Sequence, residues 1–230
     1  MHAKLFLLLI SLSLSLFSQE KPVDSLPVDF LEGYYPIDFS YVVENSKFPK
    51  KLLRMHLALY EGYVKNTRLL MQDIQLEETD SYTYGALKRR LNFELSGMRL
   101  HEYFFANIGG RGVVRDSPLM DAIIEQFGSY NKWKKAFRDT ALIRGIGWSI
   151  LAKDLLTGKL MNVWIEEHNM GNLIDLEPLL VLDVWEHAYI TEFGLDKKSY
   201  IQAFFNDIDW SIVEKRFNGF GRSDRFDSPY

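Results

Sequence analysis

The chain has no cysteine among its 230 residues, which removes disulfides, thiolate metal sites and thiol nucleophiles at once. Any transition metal must then be held by nitrogen and oxygen, a donor set that suits manganese or iron and disfavours a structural zinc cluster. An excess of positive charge is also missing. Its 27 Lys and Arg stand against 31 Asp and Glu, for a net charge of −4, so charge gives no footing for nucleic-acid binding. Histidine is scarce, and none of His56, His101, His168 and His187 has a glutamate three residues before it; Leu53, Met98, Ile165 and Val184 stand there. That excludes a di-iron bundle built on Glu-x-x-His pairs. His101-Glu102 runs on into Tyr103, Phe104 and Phe105 rather than to a second histidine, so the zinc-protease pattern fails too.

The N-terminus has a short basic start, Met1-His2-Ala3-Lys4, then 13 residues from Leu5 to Phe17 broken only by serines, then Ser18-Gln19. Thirteen apolar residues fall short of the ~20 that span a bilayer, and the pattern is that of a secretory signal. The expectation is a signal peptide over 1–18, a mature chain from near Gln19 without a membrane span, and a periplasmic or secreted location. Losing Lys4 leaves 26 basic against 31 acidic side chains.

Residues 19–45 hold Pro22, Pro27 and Pro36 with Phe30, Tyr34, Tyr35, Phe39 and Tyr41, and read as an extended arm laid on a core. A helix is expected from near Ser46, with Pro49 in its first turn. Leu52, Leu53, His56, Leu59, Tyr60, Tyr63 and Val64 form its apolar stripe, which runs to about residue 77. A second helix spans about Tyr84 to Asn107, so 46–112 reads as an antiparallel helical hairpin. Gly109-Gly110-Arg111-Gly112 closes it. In 113–218, Asp116-Ser117-Pro118 opens a helix to about Phe127, and Ser129 to Ala141 gives another. Three strand-like runs follow, Trp148–Lys153, Lys159–Ile165 and Pro178–Asp183. Helices are expected at about Glu186–Thr191, Lys198–Asn206 and Trp210–Phe217. The polar residues 219–230 read as a flexible tail.

The run Leu179-Leu180-Val181-Leu182-Asp183-Val184-Trp185-Glu186-His187 places a carboxylate and an imidazole together at the end of an apolar strand. A buried Asp is rare unless its charge is compensated. His56 and His101 sit on the two long helices, and a hairpin can bring both to one cleft. Three neutral nitrogens and one carboxylate suit a metal that cycles between +2 and +3.

The chain resembles the iron/manganese superoxide dismutases. The likeness is carried by Tyr60-Glu61-Gly62-Tyr63-Val64-Lys65-Asn66, by His101 through Asn107, by Gly145-Ile146-Gly147-Trp148 and, most specifically, by Asp183-Val184-Trp185-Glu186-His187-Ala188-Tyr189. It covers about residues 30–217. It implies an α+β fold: an N-terminal long helical hairpin followed by an α/β domain with a three-stranded antiparallel sheet. It also implies one Fe or Mn ion per subunit on His56, His101, Asp183 and His187, and a homodimer in which Glu186 reaches the partner's ligand histidine. His168 falls where the family has a hydrogen-bond donor to the solvent in the site, and Gly97, four residues before the second ligand, leaves space for it. Such a donor sets the reduction potential. Family members carry His four and Tyr eight residues after the first ligand, whereas Tyr60, Tyr63 and Val64 stand here at four, seven and eight. Either Tyr60 or Tyr63 can be the tyrosine of the substrate channel. Where a second Tyr often follows His-Ala-Tyr, this chain has Ile190. Trp148, Trp185 and Phe105 fit the aromatic shell.

The activity implied is conversion of superoxide to dioxygen and hydrogen peroxide, with Tyr60 or Tyr63 and His168 relaying protons. An anionic substrate on a negative protein needs local positive charge, for which Lys65, Lys197 and Lys198 are candidates. The alternative is a non-catalytic relative in which the metal holds the fold and the protein acts as an envelope or secreted binding factor.

Overall fold

The computed structural model describes residues 31–172 and 174–219. The signal segment, residues 19–30 of the arm and residues 220–230 of the tail lie outside them. The remainder of the arm is not wholly extended: Ser40–Asn45 is a short helix, α1, that buries Val42 and Val43. Proline clusters hid it, because Pro36 ends only the stretch before it.

Two long helices follow, α2 (Lys50–Leu76) and α3 (Tyr82–Ala106). The first starts after Pro49 rather than at Ser46. The residue before a proline disfavours helical angles, and the Ser46–Lys47 link is held instead by Asp207, which accepts from Ser46 Oγ at 2.5 Å and Lys47 N at 2.8 Å. Leu52, Leu53, His56, Tyr60, Val64, Thr67 and Ile74 form the buried face of α2. Steps of three, four or seven residues keep one face inward. Ser81 caps α3 by accepting from Tyr84 N, and its last two turns, Leu100–Ala106, are buried all round.

Ser117 and Ser129 cap α4 (Pro118–Phe127) and α5 (Tyr130–Ala141) in the same way. The three strands are β1 (Gly147–Asp154), β2 (Leu160–Glu166) and β3 (Leu176–Asp183), antiparallel in the order β2-β1-β3. Central β1 is buried along Gly147–Ala152, as a strand covered on both faces must be. Pro178 lies inside β3 rather than opening it. Leu151 pairs with Leu180 but Ala152 pairs with Pro178, so the register slips by one residue at Leu179. The proline lacks a donor, and the bulged Leu179 carbonyl accepts from buried Arg216 at 2.8 Å. Gly147 has φ +154, and a Cβ there would meet Ile165 O at 2.0 Å, so only glycine fits where β1 begins.

Beyond β3 the expected helix at Glu186–Thr191 is broken into a 3₁₀ turn, Glu186–Ala188, and a single turn α6 (Ile190–Phe193). Helices α7 (Lys197–Asp207) and α8 (Trp210–Phe217) complete the described residues. The core runs continuously from the α2–α3 hairpin through the sheet to α5, α7 and α8. No helix of the described residues is long and apolar enough to cross a membrane.

Candidate metal centre

Four side chains from four elements of the fold converge where the hairpin meets the end of β3. His56 comes from the inner face of α2, His101 from the buried end of α3, Asp183 from the last position of β3 and His187 from the 3₁₀ turn. One donor atom from each lies within 4.8 Å of all the others. His56, His101 and Asp183 are buried, and His187 is half-buried.

The geometry converges on one carboxylate oxygen. Asp183 Oδ2 lies 3.0 Å from His56 Nε2, 3.2 Å from His187 Nε2 and 3.6 Å from His101 Nε2. Its other oxygen accepts from Trp185 N at 2.8 Å, and the Asp183 carbonyl accepts from the Tyr200 hydroxyl at 2.8 Å. The carboxylate is therefore fixed through Oδ1 and its backbone through the carbonyl, with Oδ2 presented inward.

His101 is oriented by its own helix. Nδ1–H donates to the Gly97 carbonyl, one turn back, at 2.6 Å, which leaves the lone pair on Nε2. That nitrogen is buried without a hydrogen-bond partner and faces a carboxylate oxygen that cannot donate to it. A buried acceptor opposed to another acceptor is costly, and a cation between them removes the cost. The donor set of three imidazoles and one carboxylate fits iron or manganese.

Protonation is set to match. Burial pushes the His56 and His101 imidazoles below the ordinary histidine range. Burial raises the Asp183 carboxyl, but the neighbouring His187 and His56 outweigh it and hold it well below the usual carboxylate range. His56 and His101 therefore offer neutral nitrogens and Asp183 an ionised oxygen at neutral pH.

His168 is fully buried beside the cluster. Trp148 Nε1–H, which can only donate, points to His168 Nδ1 at 3.1 Å. The remaining ring proton is therefore on Nε2, which donates to the Tyr63 hydroxyl at 2.7 Å. Burial is the main reason that the His168 imidazole falls to about 4, and a second proton on Nδ1 would also face the Trp148 donor. The loop that carries it is held open by Glu167 at φ +52, in the left-handed region, a conformation that costs about 1–2 kcal/mol. Glu167 N donates to Ile146 O, and its carbonyl accepts from Trp185 Nε1.

Gly97 makes room for this pair. A Cβ there would come within 2.8 Å of Tyr63 Cδ1 and 3.2 Å of His168 Cδ2. Tyr63 is thus the tyrosine that adjoins His168. Tyr60 is turned the other way: its hydroxyl donates to Glu102 at 3.2 Å and accepts from Ile37 N at 2.9 Å. Glu102 is itself buried and paired with Arg99 at 2.7 Å.

Aromatic rings close the walls. Trp148 meets His101 edge-on at 5.0 Å, Phe104 and Phe105 each lie 5.0 Å from His56, and Trp185 stacks on His168 at 4.6 Å and on His187 at 5.6 Å. Glu186 is exposed next to His187. Lys65 and Lys198 are exposed, while Lys197 donates to Ile143 O and lies over Trp164. Sequence reasoning missed Tyr200, Phe93 and Arg90 near the site; none carries a local pattern that marks it. The bond from His101 to the Gly97 carbonyl was readable from the four-residue spacing.

The family profile described as "Iron/manganese superoxide dismutases, C-terminal domain" matches residues 115–216. The chain is 31% identical over 188 residues to a superoxide dismutase [Mn/Fe] of Aeropyrum pernix, covering 79% of this chain and 88% of the relative. It is 31% identical over 206 residues to a superoxide dismutase [Fe] of Methanothermobacter marburgensis, covering 86% and 96%. With superoxide dismutase [Mn] 2 of Haloferax volcanii it shares 32% over 190 residues, covering 79% and 93%. Together with the fold, these likenesses show that the chain belongs to the iron/manganese superoxide dismutase family.

Proposed function

We propose that His56, His101, Asp183 and His187 form the catalytic centre of this superoxide dismutase and hold its one iron or manganese ion. The observation that carries the reading is the buried, unpartnered Nε2 of His101, 3.6 Å from Asp183 Oδ2. When bound, the ion supplies one-electron chemistry, so that one superoxide is oxidised to dioxygen while a second, taking up two protons, is reduced to hydrogen peroxide.

The chain's own residues set the conditions. One carboxylate against a di- or trivalent ion would leave the loaded site positive, which favours an anionic substrate. Trp148, Trp185, Phe104 and Phe105 keep bulk water from the cluster and strengthen electrostatics there. Tyr63 accepts a hydrogen bond from His168 and so keeps its own proton free to donate into the cleft. Burial, with the nearby Asp183 and Glu94, raises the Tyr63 hydroxyl and keeps that proton in place at neutral pH. His168 serves as the fixed donor that aims Tyr63, and Tyr60 bears on the site through Glu102 and the arm.

Replacing Asp183 with Ala tests the reading. The variant is expected to lose bound metal and superoxide turnover together, with helix content retained by circular dichroism. Turnover that survives in a metal-free variant contradicts it.

The same reading extends to assembly and location. Exposed Glu186 beside half-buried His187 supports a homodimer formed through those two residues, to be tested by sedimentation of wild type against Glu186→Ala. The charged start and 13-residue apolar stretch support removal of a signal and a periplasmic or secreted enzyme, to be tested by cell fractionation and N-terminal sequencing. Residues 46–112 and 113–218 are read as its two domains.

A further inference from the structure

Arg90 is exposed on α3, but it is held in place. It forms an ion pair with Glu94 one turn on; the arginine side chain is 56% exposed and the glutamate side chain 2%. The other Glu94 oxygen accepts from Asn66 Nδ2 on α2 at 3.3 Å. The guanidinium also lies 4.6 Å over the Phe93 ring. Phe93 in turn meets His168 edge-to-face at 4.6 Å and lies 6.3 Å from Tyr63. Arg90, Phe93 and His168 run inward as an exposed, a half-buried and a buried residue.

Stability gives a weak account of this arrangement. An ion pair at the surface contributes about 0–1 kcal/mol, and burying a carboxylate to hold a surface guanidinium works against that gain. The arrangement does fix a positive charge at one place. Glu94 lies beneath and Arg90 outside, so the pair turns its positive end to solvent.

We propose that Arg90 is a guiding residue for the superoxide anion, a fixed positive charge at the outer end of the approach to Tyr63 and His168. This rests on the dismutase reading above. A chain of net charge −4 repels an anion overall, and a local positive field is the physical remedy. Arg90 touches no reacting atom and acts before the chemistry.

The test is the salt dependence of two second-order rates in the metal-loaded enzyme: superoxide decay after pulse radiolysis, and association of azide followed by absorbance. Both are measured for wild type, Arg90→Gln, Arg90→Lys and Arg90→Glu. Wild-type rates are expected to fall as salt rises. Arg90→Gln is expected to be slower at low salt by roughly two- to five-fold, with a flatter slope, and to converge on wild type at high salt. Arg90→Lys should restore the slope, and Arg90→Glu should reverse it. Unchanged slopes in Arg90→Gln and Arg90→Glu, or a loss of rate that is equal at all salt concentrations, overturn the proposal. A loaded wild type that binds azide yet does not dismutate superoxide overturns the dismutase reading instead.

Discussion

Tyr63 and His168 lie 105 residues apart in sequence and 2.7 Å apart in space, and the hydrogen in that contact belongs to the histidine. The assignment follows from Trp148, whose indole N–H fills the other ring nitrogen at 3.1 Å. One fixed tautomer therefore connects a tryptophan on β1 to a tyrosine on α2.

Replacing His168 with Ala removes this donor without touching the four converging residues. The variant should keep its metal, judged by elemental analysis, and lose turnover by roughly 10-fold or more, as expected for a second layer of hydrogen bonds around a metal. Its reduction potential should move as well. Loss of metal in place of loss of rate would make His168 a ligand.

Gly97→Ala tests the space that the pair occupies. In an open helix the change adds stability, by about 1 kcal/mol. Here the new Cβ meets Tyr63 at 2.8 Å and His168 at 3.2 Å, so the expected result is a net loss of about 1–3 kcal/mol in denaturant unfolding. Activity should fall with it.

The pH dependence follows from the depressed His168 imidazole. Its folded value of about 4 lies below the ordinary histidine value of 6.5. The unfolded chain therefore binds the proton first, and stability that is complete above pH 6.5 is lost as pH falls toward 4. His56 and His101 are depressed by burial in the same direction. Urea midpoints from pH 7 to 4.5 should fall more steeply in wild type than in His168→Gln. Parallel curves would show that His168 is not held neutral.

Asp207 anchors the segment between α1 and α2. It accepts from Ser46 Oγ, Lys47 N and Gly109 N, and Asp207→Ala leaves two backbone donors without it. The expected cost is about 2–4 kcal/mol in urea unfolding, with metal content unchanged. A variant as stable as wild type would mean that water replaces the carboxylate at no cost.

Elements with a strong local signal were legible in the sequence. The Ser117 and Ser129 caps, the stripe of α2 apart from Leu59, which is exposed, and the apolar β1 run each depend on residues close together in the chain. The four converging residues were legible because Asp183 and His187 sit in one short turn and the hairpin orders His56 and His101 opposite each other. Helix α1 was hidden by the prolines and aromatics around it, and the Leu179 bulge by the long-range bond to Arg216. The different surroundings of Tyr60 and Tyr63 required the fold. Both lie on the inner side of α2, but Glu102 and the arm take the Tyr60 hydroxyl, while the loop after β2 brings His168 to Tyr63. Arg90 escaped notice because a basic run such as Lys88-Arg89-Arg90 on an exposed helix face is usually solvated charge.

X-ray absorption at the iron or manganese edge of the purified, metal-loaded chain addresses the centre most directly. The account predicts one ion per chain held by three imidazole nitrogens and a carboxylate oxygen, and loss of that signal in Asp183→Ala. An ion whose ligand shell is unchanged in Asp183→Ala would contradict it.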